Sequence, residues 1–386
     1  MKEFHYLEKE LQEAFCWFHA HPELSYEEYE TTAKIREILT RAGIEILPLP
    51  LETGLVAVIR GENAGNNHNS ITGKNSSLVQ ALRCDIDALP IQEETDLPYK
   101  STTNGQMHAC GHDFHITVGI GCALALQEMR EELCGTVKII FQPAEESAVG
   151  ALKILETSAM EDVDVIWGIH SDPTNEVGTI GIREGYVTAA VDKFLVTISG
   201  QGCHGAHPDD GIDPIPVAAA MIQAFQTIIT RNINAFHPAL LSVTRVEAGN
   251  TWNVIPEKAF LEGTVRSMDE ADRTLIQKRM QQITENIALA YGATAQLDWN
   301  AGSPATYNDA KMVEKVIDVA TARGLAVVPE EESLGGDDFS FLEEKIPGCY
   351  IKLGTGRGPL IHQPGFQVNL KAIMPTVQFM AELLMK

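Results

Sequence analysis

The segment MHACGHDFH, residues 107–115, puts one cysteine and three histidines within nine residues. Cys110 and His112 stand two apart, and Gly111 between them allows a tight backbone turn. A thiolate and an imidazole suit a borderline-soft divalent metal. A lone Cys-x-His more often packs or caps than ligates, but four further polar groups change that reading. Glu145 and Glu146 follow the apolar run VKIIFQ (137–142), and His170 follows VDVIWGI (163–169). Asp85 and Asp87 close LVQALRC (78–84), and CYIKLG (349–354) leads through a glycine-rich turn to His362.

Cys110, His112, Glu146, His170 and His362 together offer five metal ligands. That exceeds the three usual at a single catalytic zinc and points to two metals sharing a bridging ligand and a bridging water. Adjacent Glu145 and Glu146 cannot point the same way, so one can ligate while the other faces outward. A glutamate beside such a water can take its proton, because the metal lowers the water's pKa. Glu145 is then the general base, and later the general acid to a leaving amine. Asp85 and Asp87 are expected to orient the ligands from behind. Thiolate and imidazole favour zinc, nickel or cobalt, whereas carboxylates admit manganese.

These groups need a scaffold that gathers strand ends. Each cluster stands where a short apolar, strand-like run finishes, and open α/β sheets bind ligands in the crevice beyond the carboxyl ends of their strands. A helical pattern over about 114–130 follows MHACGHDFH. Amphipathic helices are expected over 3–19 and 26–43, the second opened by Ser25. GENAGNNHNSITGKNSS (61–77) reads as a loop between two strands, with His68 incidental. From about 188 the order becomes KFLVTISG, a helix over 213–233, LLSVTRVEAG, AFLEGTVRSM, a helix over 269–292 and ATAQLDWN. That βαββαβ order predicts a ferredoxin-like unit whose sheet carries both helices on one face. Helix–strand alternation resumes after GSPATYND. Because His362 must meet Cys110, residues 1–187 and 303–386 are expected to form one domain with 188–302 inserted. The predicted class is α/β, a mixed sheet with helices on both faces plus the inserted unit.

ALRCDIDALP, HACGHDFH, FQPAEE, GIH, HGAHP, NVIP, GTVR, DDFS and IHQP occur in an order that resembles the aminoacylase/carboxypeptidase-like metallo-amidohydrolases. The branch most similar contains hippurate hydrolases, N-acyl-amino-acid deacylases and auxin-conjugate hydrolases, and the likeness runs from HAHPEL to the last histidine. The resemblance implies a two-metal amide hydrolase and matches the five ligands onto Cys110, His112, Glu146, His170 and His362, with Glu145 as catalytic base. It implies that the inserted unit is a lid and dimerisation domain. It also implies that His204 in GQGCHGAHP reaches an active site, often the partner subunit's, where it can polarise a carbonyl and stabilise an oxyanion. Asn253 in WNVIP and Arg266 in GTVR resemble substrate-binding positions, suited to a carbonyl and a carboxylate. Asp338 is expected to support the site without ligating. His19 and His21 in HAHPEL read as part of a helix terminus, His207 as structural and Cys84 as a buried strand residue. The chain departs from the usual pattern at Ser147 and Val149 beside the base, at Asp337 before Asp338, and at Cys203. None of these removes a ligand, so they bear on substrate range more than on catalysis.

The net charge of −24, from 29 basic and 53 acidic residues, argues against nucleic acid or an anionic membrane as a partner. Hydrophobic content of 44% and charged content of 21% are those of an ordinary globular chain of two-domain length. The opening MKEFHYLEKELQEAF lacks an apolar signal core, and no run approaches the ~18 apolar residues of a membrane span. Seven cysteines without framework spacing fit a reducing cytoplasm. The expected protein is a cytoplasmic, homodimeric metallohydrolase that cleaves the amide of an N-acyl (acetyl or aroyl) amino acid or similar small conjugate, using two divalent ions (Zn, Mn, Ni or Co). A dipeptidase or an N-acetyl-diaminopimelate deacetylase is the alternative within that chemistry. A metal-independent thiol hydrolase using Cys110, or a non-catalytic metal-binding scaffold, is the alternative outside it.

Overall fold

A computed structural model describes residues 4–62 and 77–386; His68 and most of the expected 61–77 loop lie outside the described residues. The chain divides into two units: Met1–Val187, Tyr307–Glu331 and Asp338–Lys386 form one, Thr188–Thr306 and Glu332–Asp337 the other.

The first unit is built on an eight-stranded mixed sheet. Its spatial order is Glu45–Ile46, Leu55–Arg60, Thr136–Gln142, Val79–Asp85, Val165–Asp172, Gly348–Gly354, Thr179–Ile182 and Ala326–Pro329. The four central strands, from Thr136–Gln142 to Gly348–Gly354, run parallel. Alternation along each strand sorts side chains between two layers. Leu55, Ala57, Val137, Ile139, Val165 and Trp167 pack into a large core with the helices Glu8–Ala20, Tyr29–Arg41, His112–Glu128, Ala310–Ala322 and Ile373–Met385. Val56, Ala81, Ile140 and Ile166 face a smaller core on the other side, with Ile154, Phe339 and Leu342. Helices therefore cover both faces, as the apolar runs predicted.

The helix His112–Glu128 is apolar nearly all round and buried along almost its whole length, as a helix sandwiched between layers must be. It comes so close to the sheet that a Cβ on Gly119 would stand 2.8 Å from Cys84 Sγ. Several boundaries differ from the sequence reading: the first helix begins at Glu8, the second unit takes in residues up to Thr306 and Glu332–Asp337, and three further differences bear on the site. The buried helix begins at His112, not 114, because Gly111 at φ +89° turns the chain into it. The second helix begins at Tyr29, and Ser25 does not cap it; the Ser25 hydroxyl donates to Asp87 Oδ2 at 2.7 Å. The strand before His170 continues through it to Asp172, because Gly348–Gly354 pairs alongside and matches Lys352 to His170.

The second unit has a four-stranded antiparallel sheet in the order Ala239–Ala248, Lys258–Ser267, Ala190–Ser199 and Thr294–Ala301. With the helices Pro214–Asn232 and Glu270–Ala290 it follows the βαββαβ order. Asp213 and Asp269 cap these helices by accepting from Ile215, and from Ala271 and Asp272. Phe194, Val196, Ile198, Leu261 and Val265 meet Met221, Phe225, Ile276 and Met280 in one core, so both helices lie on one face. The short pair Cys203–His204 with Val254–Ile255 stands apart from this sheet.

Candidate metal centre

Gly111 decides how the two central donors stand. Its φ of +89° belongs to the left-handed region, and a Cβ there would lie 2.5 Å from Ser171 Oγ. Ser171 Oγ in turn donates to the Cys110 carbonyl at 2.7 Å, locking the turn against the strand that carries His170. The result puts Cys110 Sγ 3.4 Å from His170 Nε2. His362 arrives from the far end of the chain: its amide donates to the Ala109 carbonyl at 2.7 Å, and its own φ is +62°. Its Nε2 lies 3.5 Å from Glu146 Oε1, and His112 Nε2 lies 3.9 Å from that same oxygen. Glu145 Oε2 is 4.0 Å from His112 Nε2. Cys110, Glu146 and His362 thus form one group of convergent donors, and His112, Glu145 and Glu146 another, with Glu146 common to both.

Hydrogen bonds fix which nitrogen each histidine offers. His112 Nδ1 is 2.8 Å from the Asp87 carbonyl, which can only accept, so Nδ1 carries a proton and Nε2 is the nitrogen left for a metal. His170 does the same through Nδ1 to the Ser171 carbonyl at 2.7 Å. Neither His112 Nε2 nor Glu146 Oε1 has a hydrogen-bond partner, although both atoms are buried. Orphaned polar atoms at such depth are rare and call for a ligand. Donors around a tetrahedral ion at ~2.1 Å stand ~3.4 Å apart, close to the separations among these groups. The residues therefore fit a divalent metal, and the sharing of Glu146 fits two.

The electrostatics agree. Burial disfavours charge on His112, yet Asp85 and Cys110 outweigh it and hold its pKa well above the ordinary imidazole value. Burial and then the Lys352 charge hold His170 well below that value. Burial pushes the Cys110 thiol up; His112 pulls against this, while Glu146 and Glu145 add to it. Positive charge is thus favoured at His112 and disfavoured at His170.

Asp87 does more than orient His112. Its Oδ1 and Oδ2 accept the amides of Glu145 and Glu146 at 3.1 and 3.0 Å, fixing the backbone of the glutamate loop. Asp85 is bonded to Arg83 and lies 2.5 Å from His115 Nδ1. The Ser171 amide donates to His115 Nε2 at 2.8 Å, which leaves the His115 proton on Nδ1 for Asp85. Asp338 accepts from Arg83 at 2.6 Å, Gln142 at 2.8 Å and the Ala151 amide at 2.8 Å. The sequence reading gave no role to Arg83, His115 or Ser171. A lone arginine in a buried strand run and a histidine one helical turn from His112 were the available signals.

His19 does sit at a helix end, but it is also a buried link. It lies 2.6 Å from Asp113 and 3.2 Å from Glu93. Burial alone would lower its pKa; the bonds to Asp113 and Glu93 raise it to about 9. His204, Asn253 and Arg266 belong to the second unit. His204 and Asn253 are neighbours there, since the Gly205 amide donates to the Asn253 carbonyl at 2.8 Å. The Ala206 amide donates to His204 Nδ1 at 3.0 Å, leaving Nε2–H as the outward donor of a neutral ring. Arg266 is half-buried on its strand, and its Nη1 has no partner.

Residues 81–386 match the model of peptidase family M20/M25/M40. The chain is 44% identical over 366 residues to an N-acetylcysteine deacetylase of Bacillus subtilis (strain 168), covering 95% of this chain and 93% of that protein. It is 41% identical over 376 residues to an N-acetyl-L-cysteine deacetylase of the same organism, covering 97% and 88%. Among solved structures it is similar to a Bacillus subtilis protein described as a dinuclear metal-binding peptidase from the M20 family. That likeness has a TM-score of 0.87 and 41% identity, over 99% of this chain and 98% of the other.

Proposed function

The chain belongs to peptidase family M20/M25/M40, and from that premise we propose that it is a metallo-amidohydrolase cleaving the amide bond of N-acyl amino acids or similar small conjugates. One observation carries this reading: the buried, unpartnered His112 Nε2 and Glu146 Oε1 face each other at 3.9 Å, with Cys110 and His362 converging on Glu146 and His170 3.4 Å from Cys110. Two divalent ions held by Cys110, His112, Glu146, His170 and His362 would polarise the scissile carbonyl and bring the pKa of water toward neutrality. Glu145, whose Oε2 lies 4.0 Å from His112 Nε2, takes the proton of the attacking water and returns it to the departing amine. Asp87 keeps Glu145 and Glu146 in place through their amides, and fixes the His112 tautomer through its carbonyl. Asp85 and Asp338 hold the surrounding framework through Arg83 and His115.

The same reading gives His204 Nε2–H the developing oxyanion, Asn253 the substrate carbonyl and Arg266 the substrate carboxylate. The unpartnered Arg266 Nη1 supports an anionic partner for it. The second unit is assigned the role of lid and homodimer contact, and the cytoplasm is the assigned location. All seven cysteines are free, in keeping with that compartment, and no helix among the described residues is long and apolar enough to cross a membrane. A Cys110 nucleophile is disfavoured, since its thiol is buried and pushed up among carboxylates.

The test is release of free amino acid from N-acetyl, N-benzoyl and dipeptide substrates. The enzyme is stripped of metal and then reloaded with Mn²⁺, Zn²⁺, Ni²⁺ or Co²⁺. N-acetylcysteine leads the panel because two relatives are named for it. Activity should vanish on stripping and return with metal; activity that survives stripping would overturn the assignment.

A further inference from the structure

We propose that Glu28 is a positioning residue for the glutamate loop: its buried carboxylate accepts the Ala144 amide and thereby sets where Glu145 and Glu146 point. This inference rests on the amidohydrolase reading above. Glu28 occupies the N-cap position of the helix Tyr29–Arg41, where a carboxylate ordinarily accepts from the first helical amides. Its side chain makes no such bond. Glu23 does that instead, accepting from Glu30 at 3.0 Å and Thr31 at 2.7 Å. With the helix end already satisfied, Glu28 turns inward, wholly buried, and reaches Ala144 at 2.8 Å across 116 residues of sequence. Burying a carboxyl is unfavourable, and burial here pushes its pKa up. A helix cap placed at the surface would avoid that penalty, so the inward placement answers a need of the loop.

Ala144 has that need. Its φ is +55°, a left-handed conformation that an alanine keeps only where its surroundings hold it. This turn delivers the next two amides to Asp87. Three successive amides therefore end on two buried carboxylates, and the Ala151 amide closes the loop on Asp338. Asp87 also faces His112, so its loss would disturb a ligand directly. Glu28 grips the loop from the helix side, where its effect on placement can be isolated.

The experiment compares E28A and E28Q with the wild type, each reloaded with Mn²⁺. E28Q keeps an acceptor oxygen for the Ala144 amide; E28A leaves that amide buried without one. We expect E28A to lose kcat by roughly 10- to 100-fold and to hold metal more weakly through the displaced Glu146, with little change in KM, and E28Q to keep most of both. In the metal-free proteins, backbone hydrogen exchange over residues 143–149 should quicken in E28A and stay slow in E28Q. An E28A enzyme with wild-type kcat and wild-type loop exchange would overturn the proposal. So would E28A and E28Q enzymes that lose kcat equally with unchanged exchange. A wild type inactive with every metal and substrate would instead sink the amidohydrolase reading, and the exchange comparison would still decide whether Glu28 holds the loop.

Discussion

The proposed chemistry gives different tasks to two adjacent glutamates. Glu146 Oε1 is buried without a hydrogen-bond partner between His112 and His362, and Glu145 Oε2 stands beside it, 4.0 Å from His112 Nε2; the first would serve as ligand and the second as base. The E145Q enzyme should therefore bind metal as the wild type does and lose about 10²- to 10⁴-fold in kcat. Metal analysis beside steady-state kinetics checks both halves, and near wild-type turnover with full metal would remove Glu145 as the base. The candidate residues were legible because their types are rare together: Cys110 and His112 around Gly111, and paired glutamates after an apolar run. Their partners were not. Arg83, His115 and Ser171 are ordinary residues in sequence, and they matter because Asp85, Asp338 and the Cys110 carbonyl come to meet them.

At the scale of elements, turns position the chemistry more than helices or strands do. The step from Cys110 into the helix His112–Glu128 depends on a left-handed Gly111 lying against Ser171. Gly111→Ala should destabilise the protein by at least about 1–2 kcal/mol from the backbone alone, with the clash against Ser171 added. It should also weaken metal binding, because Cys110 and His112 flank it. Thermal melting and metal titration read the two effects, and an alanine variant equal to the wild type in both would show that the turn is dispensable. Buried strands were legible from continuous apolar runs, and the alternation of the second unit from its half-exposed sheet. Cap assignment was less so. Ser25 looked like a helix opener, yet Glu23 supplies the capping carboxylate and Ser25 turns to Asp87. Several polar residues near a helix start can each cap it, and only tertiary demand selects among them.

For the whole molecule, the proposed ligands join distant stretches of chain. Cys110, Glu146, His170 and His362 span 252 positions, so a bound ion crosslinks the first unit and favours its folded state. At free metal 100 to 1,000 times its Kd, that linkage adds ~2.7–4.1 kcal/mol to stability. Stripped enzyme should therefore melt lower than reloaded enzyme, and C110S should lose most of that difference. Calorimetry with and without Mn²⁺ or Zn²⁺ checks this; a metal-independent melting temperature in the wild type would exclude the folded-state site.

The sequence by itself determined the layers, the inserted βαββαβ unit and the residue types able to hold metal. Those properties depend on local periodicity and on side-chain chemistry, which a linear chain already carries. Only the tertiary structure decided which atoms meet: that His112 and His170 offer Nε2, that Asp87 grips the backbone of both glutamates, and that Glu28 leaves its helix end for Ala144. Apart from that of His170 with its neighbour Ser171, these pairings join residues 25 to 116 positions apart. Their energies come from burial that exists only once the sheet and helices have closed around them.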